Sequence, residues 1–196
     1  MFKGLKIGVA ITGSFCSLSK LFYVLDLLKE HHGDLYLILS DEVQKADTRF
    51  YHHDKLLADL KAYTSHDFVM DIPSAEKLGP MIPLDLLLVF PATSNTISKF
   101  AYGICDSPVL MACKATIRNQ KPVVFGMFSN DALGQSANSW TTLYQRKHIY
   151  FVPFGQDDPI SKPNSLVCDE SKVMDTMLNA LQNKQIQPLL VSYEKD

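Results

Sequence analysis

Leu86-Leu87-Leu88-Val89-Phe90 is an apolar run without helical spacing, and it opens directly onto Pro91-Ala92-Thr93-Ser94-Asn95-Thr96. The next residues, Thr96-Ile97-Ser98-Lys99-Phe100-Ala101, restart a helical pattern. A run of the first kind reads as a buried strand. The polar cluster then joins a strand's carboxyl end to a helix's amino end, where free backbone N–H groups and the helix dipole favour an anion. An ordinary Ser/Thr helix cap is the plainer alternative.

The same grammar occurs elsewhere. Lys6–Ile11 reads as a strand, Thr12-Gly13-Ser14-Phe15 as a turn, and Leu18, Leu21, Phe22, Leu25 and Leu28 recur at helical spacing. Leu35–Leu39 is a strand closed by Ser40, and Leu56, Leu57, Leu60 and Tyr63 mark a helix after it. Val123–Phe128 follows a helical segment from Val109 to Gln120, and Tyr150–Phe154 precedes a final helix from about Ser171 to Asn183. This alternation predicts an α/β fold, with about five strands in a doubly wound parallel sheet between two helical layers, as one domain over residues 1–196. Ile72–Pro83 and Gly155–Pro163 read as long loops.

Several functions are disfavoured. The formal charge is −2 and no Lys/Arg block occurs, which argues against nucleic acid. No segment approaches the roughly 20 apolar residues that span a bilayer, so a cytoplasmic chain is expected. Gly8 and Gly13 have the outer spacing of a P-loop, but Ser14-Phe15 follows where Lys-Ser/Thr is needed, which argues against ATP hydrolysis. Cys16, Cys105, Cys113 and Cys168 are scattered without a C-x-x-C and read as reduced thiols. Cys16, beside the Gly13-Ser14 turn, is the one in a setting that suits a reactive thiol.

In an open parallel sheet, ligands bind beyond the strands' carboxyl ends. Here those ends gather Thr12-Gly13-Ser14, Ser40, Pro91–Thr96 and Ser129-Asn130-Asp131. Small, mostly neutral, hydrogen-bonding residues suit one phosphate and a flat heteroaromatic ring better than a nucleoside triphosphate.

The opening Gly8-Val9-Ala10-Ile11-Thr12-Gly13-Ser14, the block from Pro91 to Lys99, and Asn130 after the Val123 strand resemble the flavoprotein family of FMN-binding cysteine decarboxylases and flavin prenyltransferases. The resemblance implies a Rossmann-like, flavodoxin-like sheet with FMN as cofactor. Its phosphate falls to Thr12, Gly13, Ser14 and the Thr93, Ser94, Asn95, Thr96 block, with Ser40 near the ribityl chain or phosphate. It also implies a homo-oligomer built on trimers.

Asp106–Arg118, Ser129–Gly134, and Phe154–Pro159 with Lys162–Ser165 are similar to one branch of that family. That likeness implies oxidation of a dihydropyridine dicarboxylate to pyridine-2,6-dicarboxylate in spore-forming bacteria, alongside a Rossmann-type partner subunit that binds NAD(P). Asn95 and Asn130 are then the expected catalytic residues, orienting the substrate. Lys114, Arg118, Asn130 and Asp131 are expected to bind it, Lys114 or Arg118 by meeting a carboxylate. A solvated helix face is the alternative for both cations.

The chain departs from the family pattern in two places. Ser74–Asp85 contains no histidine where the decarboxylases carry one, and Met127-Phe128-Ser129-Asn130 replaces their proline-and-methionine motif. His66 is the one substitute base to entertain; His31-His32 and His52-His53 read as a helix end and a polar connection. Asp157 and Asp158 lack a third ligand at metal spacing, so no metal is expected, and the Gly155–Ser165 loop reads as a docking loop for the partner. Trp140 and Tyr144 read as core. Two alternatives stay open: a non-redox assembly or substrate-binding subunit without flavin, and an FMN-dependent decarboxylase of a thiol-containing substrate.

Overall fold

β1 (Lys6–Ile11) is buried from its second residue onward, and burial is as continuous along β3 (Leu86–Thr93) and β4 (Val123–Ser129). Strands covered on both faces need apolar side chains on both, which is why these runs show no alternation. β2 (Asp34–Leu39) lies parallel to β1, with Leu39 opposite Ile11, and β3 lies parallel on the other side, with Leu86 opposite Ile7. β4 pairs parallel with β3, and the short β5 (Ile149–Phe151) with the first half of β4. The parallel core therefore has the order β2-β1-β3-β4-β5, a doubly wound sheet whose winding reverses between β1 and β3. The computed structural model describes residues 1–192, so residues 193–196 of the expected domain lie outside the described residues.

The expected strand over Tyr150–Phe154 is in fact divided. β5 ends at Phe151, and Phe154 begins β6 (Phe154–Gly155), which pairs antiparallel with β7 (Leu166–Cys168). Pro153 has no N–H for a ladder, so the chain changes partner there. β7 pairs antiparallel with the end of β4. The segment between β6 and β7 is thereby carried to the carboxyl edge of the sheet.

α1 (Leu18–Glu30) and α8 (Val173–Leu181) cover one face; α5 (Ser94–Ala101), α6 (Pro108–Arg118) and α7 (Ala137–Tyr144) cover the other. Between β2 and β3 come α2 (Asp41–Lys45), α3 (His53–Lys61) and α4 (Ile72–Glu76). The last is a helical turn where a loop is expected: Asp71 caps it, accepting from the Ser74 N–H at 2.7 Å, and Pro73 suits its first turn. Trp140 lies edge-on to Phe154, with ring centroids 5.2 Å apart, and donates to the Ala132 carbonyl, while Tyr144 stays partly exposed. Among the described residues, no helix is long and apolar enough to cross a membrane.

Candidate functional site

The reversal of winding leaves a gap between the ends of β1 and β3, and Thr12 spans it. Its buried hydroxyl donates to the Pro91 carbonyl at 2.7 Å and accepts from the Thr93 N–H at 3.1 Å, where the β3–β4 register slips between Val89 and Ala92. The next residues turn sharply, the Ser14 N–H donating to the Thr12 carbonyl at 2.7 Å. The turn lies against α2, where a Cβ on Gly13 would meet the Glu42 Cβ at 3.4 Å, an ordinary contact distance. Thr93 caps α5, its Oγ1 accepting from the Thr96 N–H at 3.4 Å and lying 3.1 Å from the Thr96 hydroxyl. Ser40 closes β2 with its N–H on the Ile11 carbonyl at 3.0 Å; its hydroxyl is buried and has no partner.

Gly13-Ser14 and Thr93-Ser94 form one wall of a cleft of about 510 Å³. Phe128-Ser129-Asn130-Asp131 forms a second wall, and Thr48-Arg49-Phe50, from the α2–α3 connection, a third. Phe15, Phe50 and Phe128 bring aromatic rings to it, and the Arg49 guanidinium lies 4.7 Å from the Phe50 ring centroid. The Arg49 loop is tied back by Asp47, which accepts from the His53 N–H at 3.0 Å and bonds His53 Nδ1 at 2.8 Å. Those bonds bring the Asp47 carboxyl down to about 2, and the same pairing raises His53 above the usual imidazole value. Opposite, the Ser136 and Ser129 hydroxyls each donate to Asp131 at 2.7 Å. Together with Ser94 they hold its carboxyl below the ordinary range, against the effect of partial burial.

Of the expected site residues, Gly13, Ser14, Thr93, Ser94, Asn130 and Asp131 line this cleft, with Ser40 beside the end of β1. Thr12 and Thr96 are buried behind it, and the bonds of Thr12 make it a clamp between loops. Asn95 is exposed on the first turn of α5, outside the lining, so one chain does not bring Asn95 and Asn130 together there. Asp131 lines the cleft as a firmly ionised group whose oxygens organise their own loop, which suits it poorly to meeting a carboxylate.

Lys114 and Arg118 are not part of this cleft. Arg118 ends α6 just before β4 begins and lies close to Gly79, so it is at the sheet's amino edge, opposite the hydroxyl cluster. Lys114, one turn earlier, borders a separate cavity with Phe100, Leu110 and Arg146. His66 is also at the amino edge: Nε2 bonds the Asp34 carboxylate at 2.7 Å and the ring stacks on Tyr36, with centroids 4.0 Å apart. It is no substitute base for this site. Cys16 is exposed in the cleft, whereas burial pushes the Cys113 and Cys168 thiols up and leaves them inert. Among the described residues, no group of three or more His, Cys, Asp or Glu could hold a metal ion.

Sequence reasoning missed Arg49 and Phe50, because a polar connection after a short helix carries no periodicity to mark it. Lys20 and Lys162, which line an adjoining cavity, were also missed. Only the second left a trace, within the Lys162–Ser165 segment already singled out. The hydroxyls and amides of the Gly13-Ser14 turn and of the α5 terminus, with the aromatic rings of the cleft walls, together fit a phosphate attached to a planar ring.

The profile described as Flavoprotein matches residues 1–187. The B subunit of dipicolinate synthase from Bacillus subtilis (strain 168) is 40% identical over 189 residues, covering 96% of this chain and 94% of that protein. The crystal structure of the dipicolinate synthase B subunit from Bacillus halodurans superposes with a TM-score of 0.90 at 40% identity, covering 97% of this chain and 98% of that one. SpaF, an FMN-dependent cysteine decarboxylase, shares the fold with a TM-score of 0.67 at 18% identity, covering 90% and 97% of the two chains. Matched along nearly its whole described length, the chain belongs to the Flavoprotein family.

Proposed function

We propose that the chain is an FMN-binding oxidoreductase subunit with the role of the B subunit of dipicolinate synthase. With the synthase's Rossmann-type partner subunit, which carries NAD(P), it oxidises dihydrodipicolinate to dipicolinate. The carrying observation is the hydroxyl-lined cleft at the reversal of winding, in a chain 40% identical to the Bacillus subtilis protein of that role. Gly13, Ser14, Thr93 and Ser94 would hold the phosphate, by hydroxyls and by amides of the turn and of the α5 terminus. A phosphate or ribityl oxygen would satisfy Ser40. Arg49 adds the positive charge that these neutral loops lack.

FMN, when bound, supplies a two-electron acceptor at this site. The conversion removes one hydride and one proton from the dihydro ring, and the aromaticity gained favours their departure. The protein's task is then to hold the ring and its carboxylates in place, without a strong base. Asn130 serves that task from the cleft wall, its amide offering both donors and an acceptor. The chain assembles as a homo-oligomer built on trimers, for which exposed Tyr102 and Ile104 offer apolar surface.

The test is the visible spectrum of the purified chain, taken before and after addition of FMN and then of the dihydropyridine substrate without the partner. Flavin bands that shift on binding and bleach with substrate are expected. Failure to take up FMN overturns the reading in favour of a non-redox assembly role. Release of carbon dioxide from a cysteinyl substrate would instead make the chain a decarboxylase.

A further inference from the structure

A second cavity, of about 270 Å³, adjoins the first and shares Ser14, Cys16, Phe128, Ser129 and Asn130 with it. Beyond that shared wall it is bounded by Lys20, Asp157 and Lys162. It is smaller than the roughly 300–1,000 Å³ pockets that take drug-sized ligands, which suits a single-ring acid.

Lys20 lies in the first turn of α1 and Lys162 on the segment between β6 and β7, so the fold brings two ammonium groups together from opposite ends of the sequence. Lys20 Nζ is 2.7 Å from the Glu170 carboxylate and 5.6 Å from the Phe128 ring centroid. Lys162 Nζ is 3.2 Å from the Asp157 carboxylate. An ammonium has three donors. One acidic partner therefore leaves each lysine N–H groups to offer a ligand.

The two cavities differ in their charged groups. Arg49 faces Asp131 in the first, whereas the second holds two ammonium groups, Lys20 paired with Glu170 and Lys162 with Asp157. Phe128 forms the wall they share, and Asn130 stands at the junction. A flat apolar surface, two cations with donors to spare and an amide at the edge are the groups that hold a planar ring bearing carboxylates.

We propose that this second cavity is the carboxylate-recognition subsite, in which Lys20 and Lys162 receive the carboxylates of a planar heteroaromatic dicarboxylate whose ring lies along Phe128. The assignment rests on the oxidoreductase reading above and replaces Lys114 and Arg118 as the carboxylate partners. Glu170 and Asp157 hold the lysines in place and compete with the ligand for them.

The test is calorimetric titration of pyridine-2,6-dicarboxylate into the FMN-loaded chain, with FMN affinity measured separately for each variant. Lys20→Met and Lys162→Met should each weaken dicarboxylate binding by about tenfold or more, as expected for loss of a charge-assisted contact. FMN affinity should stay within about twofold. Glu170→Gln and Asp157→Asn should tighten dicarboxylate binding, because each frees a lysine. A merely structural role for these ion pairs predicts the reverse, with the acid variants as damaging as the lysine variants. Unchanged binding in both lysine variants overturns the proposal, as does a wild-type chain that takes FMN but not the dicarboxylate. A chain that binds the dicarboxylate through the lysines but refuses FMN leaves the subsite standing and overturns only the flavin reading.

Discussion

Thr12→Val tests whether one hydroxyl holds the two halves of the site together. The replacement keeps the shape and removes both hydrogen bonds, leaving the carbonyl of buried Pro91 and the N–H of half-buried Thr93 without their partner. A buried group left unpaired costs about 1–3 kcal/mol; with the carbonyl toward the upper end and the more accessible amide toward the lower, the sum is about 2–4 kcal/mol. For a chain of this size that lowers Tm by roughly 4–16 °C. Thr12→Ser keeps the hydroxyl and loses one methyl group, at about 1 kcal/mol. Urea unfolding of the three proteins, followed by FMN titration, separates these contributions. Thr12→Val should be the less stable variant and should lose FMN affinity as well, because Thr93 sets the amino end of α5. Equal stability of Thr12→Val and Thr12→Ser would refute the clamp.

Ser40→Ala should leave the free chain at least as stable, since it deletes a buried hydroxyl with no partner, while lowering FMN affinity severalfold; paired melting and binding curves show both. Thr93→Ala should cost about 1 kcal/mol in urea unfolding through loss of the α5 cap, and weaken FMN binding, whereas a stability loss with FMN affinity intact would confine Thr93 to capping. The His53 pairing with Asp47 stabilises the Arg49 loop fully below the ordinary imidazole value of 6.5 and is lost as pH rises through the raised value in the folded chain. FMN affinity should therefore decline on the alkaline side of 6.5, with His53→Asn removing that dependence; identical pH profiles for the two proteins would disprove the linkage. In Gly126→Ala the new Cβ would collide with the Phe90 ring, which packs edge-on against Phe128 at 5.3 Å, so unfolding should show a loss of about 1–3 kcal/mol and the near-ultraviolet dichroism should change.

The parallel core was legible in the chain because strands buried on both faces must be continuously apolar, and the turns that end them must carry small polar residues. Lys6–Ile11, Leu86–Phe90 and Val123–Phe128 announce themselves this way, and with them the Gly13, Thr93 and Asn130 loops at the carboxyl edge. The break at Pro153 was less legible: Tyr150–Phe154 is uniformly apolar, and only the antiparallel partner Leu166–Cys168 shows that Phe154 belongs to another strand. Lys114 and Arg118 mark the same boundary from the other side. They are suitable cations, but a helix leading into β4 ends at the amino edge, and that direction exists only once the sheet is assembled.

Local pattern by itself determined the alternation of strands and helices, the places where the chain turns, and the hydroxyl chemistry at those turns, because each depends on neighbours within one or two turns of backbone. Which turns meet was decided by the tertiary structure. The order β2-β1-β3-β4-β5 sets Thr12 against Pro91 across 79 positions of sequence, and the antiparallel return through β7 carries Lys162 to the same cavity as Lys20. Charges on separate loops acquire a shared function only when packing fixes the distance between them, and no periodicity along the chain records that distance.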